Sequence, residues 1–171
     1  TESASADRIK LFYNGVQQTF SGSPTYPSLN QDQELNNNVQ HAIGRIDKPG
    51  DPSAYFDGYM AEVVFIDGTA LTPSSFGQTD TSTNRWIPKD VSGLTFGTNG
   101  FYLEFGTAAD LGDDTSGETN DWAEQNIAAA NQTIDTPTKN YCTWNPLNTP
   151  SGMTFSNGNL QLDSTTNWYA G

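Results

Sequence analysis

The chain has 171 residues, 34% of them hydrophobic, and sets 20 acidic side chains against 7 basic ones for a formal net charge of -13. That charge repels phosphate backbones and anionic lipid, which argues against nucleic-acid and membrane-surface partners and leaves cations and neutral glycans open. No apolar run approaches the roughly 18 residues of a membrane span, so no membrane insertion is expected, and the Gly- and Pro-rich polar composition favours many short strands joined by turns, an all-β class.

Residues 8–20 place alternating apolar positions on either side of Asn14-Gly15, a pair that accepts positive φ, and this predicts a β-hairpin. Residues 22–38 carry Pro24, Pro27 and many Asn and Gln without a period, which predicts a surface loop. Residues 39–46 and 55–67 have the β-branched and aromatic content of strands, the second punctuated by Gly58 and Gly68. Leu71-Thr72-Pro73-Ser74-Ser75-Phe76-Gly77 has the grammar of one helical turn, with Thr72 to cap it, Pro73 in its first position and Gly77 to close it. Residues 97–105 predict another strand, 108–124 an acidic, turn-rich stretch, and 122–130 a short helix. Toward the end, Pro137 and Pro146 mark irregular chain, and 153–155 and 159–162 read as two strands around Ser156-Asn157-Gly158. About five strands before residue 106 are too few to cover both faces of a double sheet, which predicts a sandwich lacking its N-terminal part.

The order Ile9-Lys10-Leu11-Phe12-Tyr13-Asn14-Gly15-Val16, His41-Ala42-Ile43-Gly44-Arg45, Tyr55-Phe56-Asp57-Gly58-Tyr59-Met60-Ala61-Glu62-Val63 and Asp67-Gly68-Thr69-Ala70-Leu71-Thr72 resembles the second half of laminin-G-like, concanavalin A-like lectin domains, over roughly residues 7–80. Trp86-Ile87-Pro88-Lys89, Gly100-Phe101-Tyr102-Leu103-Glu104-Phe105, Leu111-Gly112-Asp113-Asp114-Thr115-Ser116-Gly117, Asn120-Asp121-Trp122, and Asp135-Thr136-Pro137-Thr138 with Asn140-Tyr141-Cys142-Thr143-Trp144-Asn145-Pro146-Leu147 resemble the segment C-terminal to such a domain in virion proteins of marine tailed phages. The resemblance implies a partial concanavalin A-like jelly roll over residues 1–105, an acidic, Pro-containing extension over 106–147, and the start of a SPRY-like β module over 148–171. It further implies a structural tail-fibre or capsid-fibre component, located in the virion, homotrimeric, partnered by other virion proteins and adhering to host-surface glycans. A carbohydrate-binding module of a secreted glycoside hydrolase is the alternative.

The 110–121 loop concentrates Asp113, Asp114 and Asp121 with amide oxygens around glycines. Such a loop can supply the six to eight oxygens that calcium prefers; its ordinary role is a solvated acidic loop. Glycan binding needs an exposed aromatic face flanked by amides or carboxylates. Tyr26, Tyr55, Trp86 and Trp122 lie in or beside polar loops and are the candidates, although each such ring is more commonly an anchor. Hydrolysis would need two carboxyl groups across a scissile bond, and none is expected: Glu62 and Asp67 are five residues apart and so face opposite sides of one strand, while Glu104 stands alone on another. The lone His41 and the lone Cys142 have no nucleophilic or metal-binding context.

Overall fold

A computed structural model describes residues 2–46, 55–134, 144, 152–156 and 159–164. Its regular elements are nearly all strands: β1 (Leu11–Tyr13), β2 (Val16–Gln18), β3 (Val63–Phe65), β4 (Gly77–Asp80), β5 (Arg85–Pro88), β6 (Phe101–Leu103), β7 (Met153–Ser156) and β8 (Gln161–Ser164), with three single-turn 3-10 helices. The fold is therefore β-rich with almost no helix. The strands form four antiparallel pairs, β1 with β2, β3 with β6, β4 with β5 and β7 with β8.

The chain divides into two compact units. One holds residues 1–60 and 70–91, the other 61–69 and 92–171. The first carries six basic and nine acidic residues, a net of -3; the second carries one basic residue, Lys139, and eleven acidic ones, a net of -10. The acidity of the chain is thus a property of one unit.

The hairpin of the first unit follows the rule read from its residues. Asn14 and Gly15 both take positive φ, 48° and 79°, the combination whose twist matches paired strands, and Leu11, Phe12 and Tyr13 pair with Gln18, Gln17 and Val16. The predicted turn at 71–77 is a 3-10 turn over Pro73–Ser75, with Pro in its first position; Thr72 closes it through its carbonyl, which accepts from the Ser75 N–H at 2.9 Å, while its hydroxyl bonds to Ser74 instead of capping.

Two long strand predictions shorten. Residues 39–46 contribute a single bridge, Arg45 to Tyr55, because Gly44 turns to positive φ (79°) and breaks the extended run. In 55–67 only Val63–Phe65 forms a strand; the chain bends at Gly58, and Glu62 takes a left-handed φ of 58°. The helix expected in 122–130 is reduced to one 3-10 turn at Ala129–Asn131. Near the C-terminus the first strand read, 153–155, is β7, while the second, read at 159–162, begins two residues later as β8 because Asn159 takes a positive φ of 64° in the turn. Pro137, Cys142 and Pro146 lie outside the described residues.

The β4–β5 hairpin was not legible. Its strands, Gly-Gln-Thr-Asp and Arg-Trp-Ile-Pro, lack alternation, and the pairing is set by the turn between them. Asp80 accepts hydrogen bonds from the Ser82 N–H (2.9 Å), the Ser82 hydroxyl and the Thr83 hydroxyl (2.6 Å), an Asx-type closure. The Thr83 hydroxyl, then Ser82, hold the Asp80 carboxyl down at about 2. Asn84 supplies the positive φ, 55°.

Trp86 organises the first unit. It pairs with Thr79, and its ring lies over the neighbouring Gly77, where a Cβ would sit 2.5 Å from Cε2 and Nε1. The same ring rests against Gly15 at the tip of the β1–β2 hairpin. Two glycines thus leave room for one indole, an aromatic cover for backbone that would otherwise meet water. In the second unit the buried hydrophobic residues are Phe96, Tyr102, Leu103 and Leu111, gathered about the β3–β6 ladder in which Val63, Val64 and Phe65 face Leu103, Tyr102 and Phe101.

Gly77 has no positive φ, so Gly77→Ala tests the indole contact without backbone strain. Chemical denaturation should show a loss of about 1–3 kcal/mol, the usual cost of overpacking, together with a changed Trp fluorescence spectrum; an unchanged midpoint would refute the packing of Trp86 on Gly77.

Candidate functional site

The acidic loop after β6 is built around one buried carboxylate. Asp114 is 7% exposed. Its Oδ1 accepts from the backbone N–H groups of Tyr102 (2.8 Å) and Ser116 (2.9 Å), and its Oδ2 from the Ser116 hydroxyl (2.9 Å) and the Asn120 N–H (2.9 Å). Burial pushes this carboxyl up, but the four donors together outweigh burial and leave it below its ordinary value of 3.8. Charge-assisted bonds of this kind are what makes a buried carboxylate tolerable.

The loop closes on itself and on the ladder. Asp121 accepts the Asp114 N–H at 3.0 Å, and the Tyr102 carbonyl accepts both the Thr115 N–H (3.0 Å) and its hydroxyl (3.1 Å). Asn120 spans the base of the loop, its Nδ2 donating to the carbonyls of Thr98 (3.0 Å) and Gly100 (2.8 Å). Glu124 takes the Leu111 N–H at 2.8 Å; its own backbone N–H and then that of Leu111 hold its carboxyl below the usual range. Gly112 accepts the Trp122 N–H through its carbonyl (2.9 Å), and no side chain would fit there because a Cβ would strike the Trp122 carbonyl.

Of the three residues read as calcium ligands, the structure brings Asp114 and Asp121 together and engages both as backbone acceptors, while Asp113 takes no part in that bonding. Among the described residues, no group of three or more His, Cys, Asp or Glu is arranged to hold a metal ion. The two oxygens of Asp114 would have to give up four hydrogen bonds to bind one.

The four aromatic candidates separate by unit and by surroundings. Trp122, in the second unit, is half-buried with its ring edge-on to Phe101 at 5.0 Å. In the first unit Trp86 is half-buried against Gly15 and Gly77, and Tyr26 is half-buried edge-on to Phe20 at 6.3 Å. Tyr55 alone of the four is open, 60% exposed, beside Phe56 (56%) and Tyr59 (63%). Trp122, Trp86 and Tyr26 are thus half-buried against protein neighbours, and Tyr55 is the most open of the four candidates.

One juxtaposition escaped sequence reasoning. Glu104 does not stand alone: Glu62, just before β3, and Glu104, just after β6, both act on the Tyr102 hydroxyl. The buried Tyr102 hydroxyl donates to the Glu62 carboxylate. Burial, then the Glu62 bond, then Glu104 raise the Tyr102 hydroxyl far above its usual value, so it remains a donor between two carboxylates. Glu62 lies on the chain entering β3 and Glu104 on that leaving β6, and only strand register places them together.

No family model, no curated protein and no solved structure matches this chain.

Asp114→Asn keeps the shape but sets an amide against backbone donors. It should lower stability by about 1–3 kcal/mol. Because the folded-state pKa of Asp114 is depressed, its contribution is present in full above the ordinary carboxylate value and is lost as pH falls through the lower, folded value. Acid titration of urea unfolding should therefore show a fall in stability below about pH 4 that is reduced in Asp114→Asn; equal acid sensitivity in both proteins would contradict the assignment.

Proposed function

We propose that this chain is a non-catalytic, lectin-like jelly-roll segment of a phage virion protein, a fibre or surface decoration that assembles with its own copies and other virion proteins and adheres to host-surface glycans. The observation that carries the reading is the distribution of apolar surface. Fourteen of the seventeen exposed large hydrophobic residues among those described fall between Ile9 and Met60, and no described residue in that stretch is buried.

A concentration of that kind marks surface meant to be covered or to bind. Among the described residues the β1–β2 hairpin is paired only with itself, and a two-stranded ribbon is marginal in water unless it gains another layer. In a jelly roll that layer is the facing sheet, and in a fibre the neighbouring copies add a second cover. Copies pack most cheaply where like charge is sparse, which favours the first unit, at -3, over the second, at -10. The virion setting and the trimeric state rest on the resemblance to phage proteins, and the exposed Tyr55, with Asp57 beside it, fits a sugar ring flanked by a carboxylate.

Two measurements test this. Arrays of bacterial polysaccharides should bind the chain above a heat-denatured control, and Tyr55→Ala should weaken binding about tenfold, or ~1.4 kcal/mol, while leaving the unfolding midpoint unchanged; absence of binding would remove adhesion. Sedimentation should find trimers, and a monomer at all concentrations would remove self-assembly.

A further inference from the structure

His41 is the single histidine of the chain and lies at the end of an exposed loop. Both nitrogens of its ring face carbonyl oxygens: Nδ1 lies 2.8 Å from Val39 O and Nε2 lies 3.1 Å from Glu34 O. A neutral imidazole carries one N–H, so in either tautomer one of these contacts would set a lone pair against a carbonyl. Only the imidazolium donates to both. We infer that residues 34–41 form a proton-dependent clasp, closed when His41 is charged and loosened when it is neutral.

The rest of the loop shares one of these carbonyls, Glu34 O, and is otherwise built on Asn37. The Asn37 N–H donates to Glu34 O at 3.1 Å and the Val39 N–H to Asn37 O at 2.8 Å. Asn36 takes the left-handed φ, 61°, that reverses the chain, and Asn37 Oδ1 accepts the Asn38 N–H at 2.8 Å. The imidazolium ties the first turn to the last, so its loss frees both. No other element donates to or accepts from the ring among the described residues. The ring makes no ion pair there; the described charged residues nearest to it in sequence are Asp32, Glu34 and Arg45. The loop carries Leu35 and Val39, 69% and 50% exposed, so the clasp governs how two apolar side chains are presented. This inference stands on the ring geometry and is independent of the proposed adhesion.

The direction of the pH response is set by which form is bound. Protection of the loop is full where the ring is charged and can donate to both carbonyls, and falls where it is neutral and can donate to one. Amide exchange measured by NMR on the full chain between about pH 5 and 8, corrected for intrinsic exchange, should show Asn37 and Val39 about three- to tenfold more protected at the acid end. The change should track the His41 ring nitrogen shifts, while Ser75, in the Pro73–Ser75 turn, stays flat. In His41→Gln, whose side chain does not titrate, the pH dependence at Asn37 and Val39 should vanish while the Ser75 protection is retained. Protection that ignores the ring titration, or a pH response that persists in His41→Gln, would overturn the clasp.

Discussion

The four hydrogen bonds to Asp114 are the constraint on which the second unit depends. With four hydrophobic side chains buried among the described residues of that unit, apolar burial alone cannot hold long polar loops, and side chains bonded to backbone take up that task. Asp114 gathers the N–H of Tyr102 from β6, the N–H and hydroxyl of Ser116, and the N–H of Asn120 into one carboxylate. Ladder and loop are thereby fastened at a single buried atom group. The same logic recurs at the surface, where Asp80 closes the β4–β5 turn and Asn120 bridges Thr98 and Gly100. Among the described residues no buried polar side-chain atom is left without a partner.

This economy alters how acidic residues are to be read. A run of carboxylates between glycines has the composition of a cation site, yet the donors it meets are its own backbone. What separates the two outcomes is direction: oxygens turned inward to N–H groups close a loop, whereas oxygens converging on a vacant point bind an ion. Spacing along the chain does not contain that direction.

The first unit is organised differently, by one indole over two glycines, and leaves much apolar surface open. Its hairpin, its bridge from Arg45 to Tyr55 and its loop at 34–41 are small structures whose hydrophobic residues have few neighbours. A surface of this kind is consistent with a segment that works by contact, with copies of itself or with a ligand, and that reading is the basis of the function proposed.

Local chemistry was determined by the sequence alone. Asn14-Gly15 specified its hairpin because few other pairs accept positive φ twice in succession, Pro73 specified its turn because its ring pre-sets φ, and the two strands near the C-terminus were legible in their composition, the second two residues earlier than it lies. Tertiary structure decided everything that depends on register or approach between distant segments: the β4–β5 pairing, the meeting of Glu62, Tyr102 and Glu104, and the inward turn of Asp114. It also decided how open each aromatic ring is, since Trp86, Trp122 and Tyr26 are half-buried against other residues and Tyr55 is exposed. The physical reason is common to all of these. Backbone preference acts over a few residues and is written in their types, whereas burial and hydrogen-bond direction depend on which segments come to lie together, and residue type alone does not specify that.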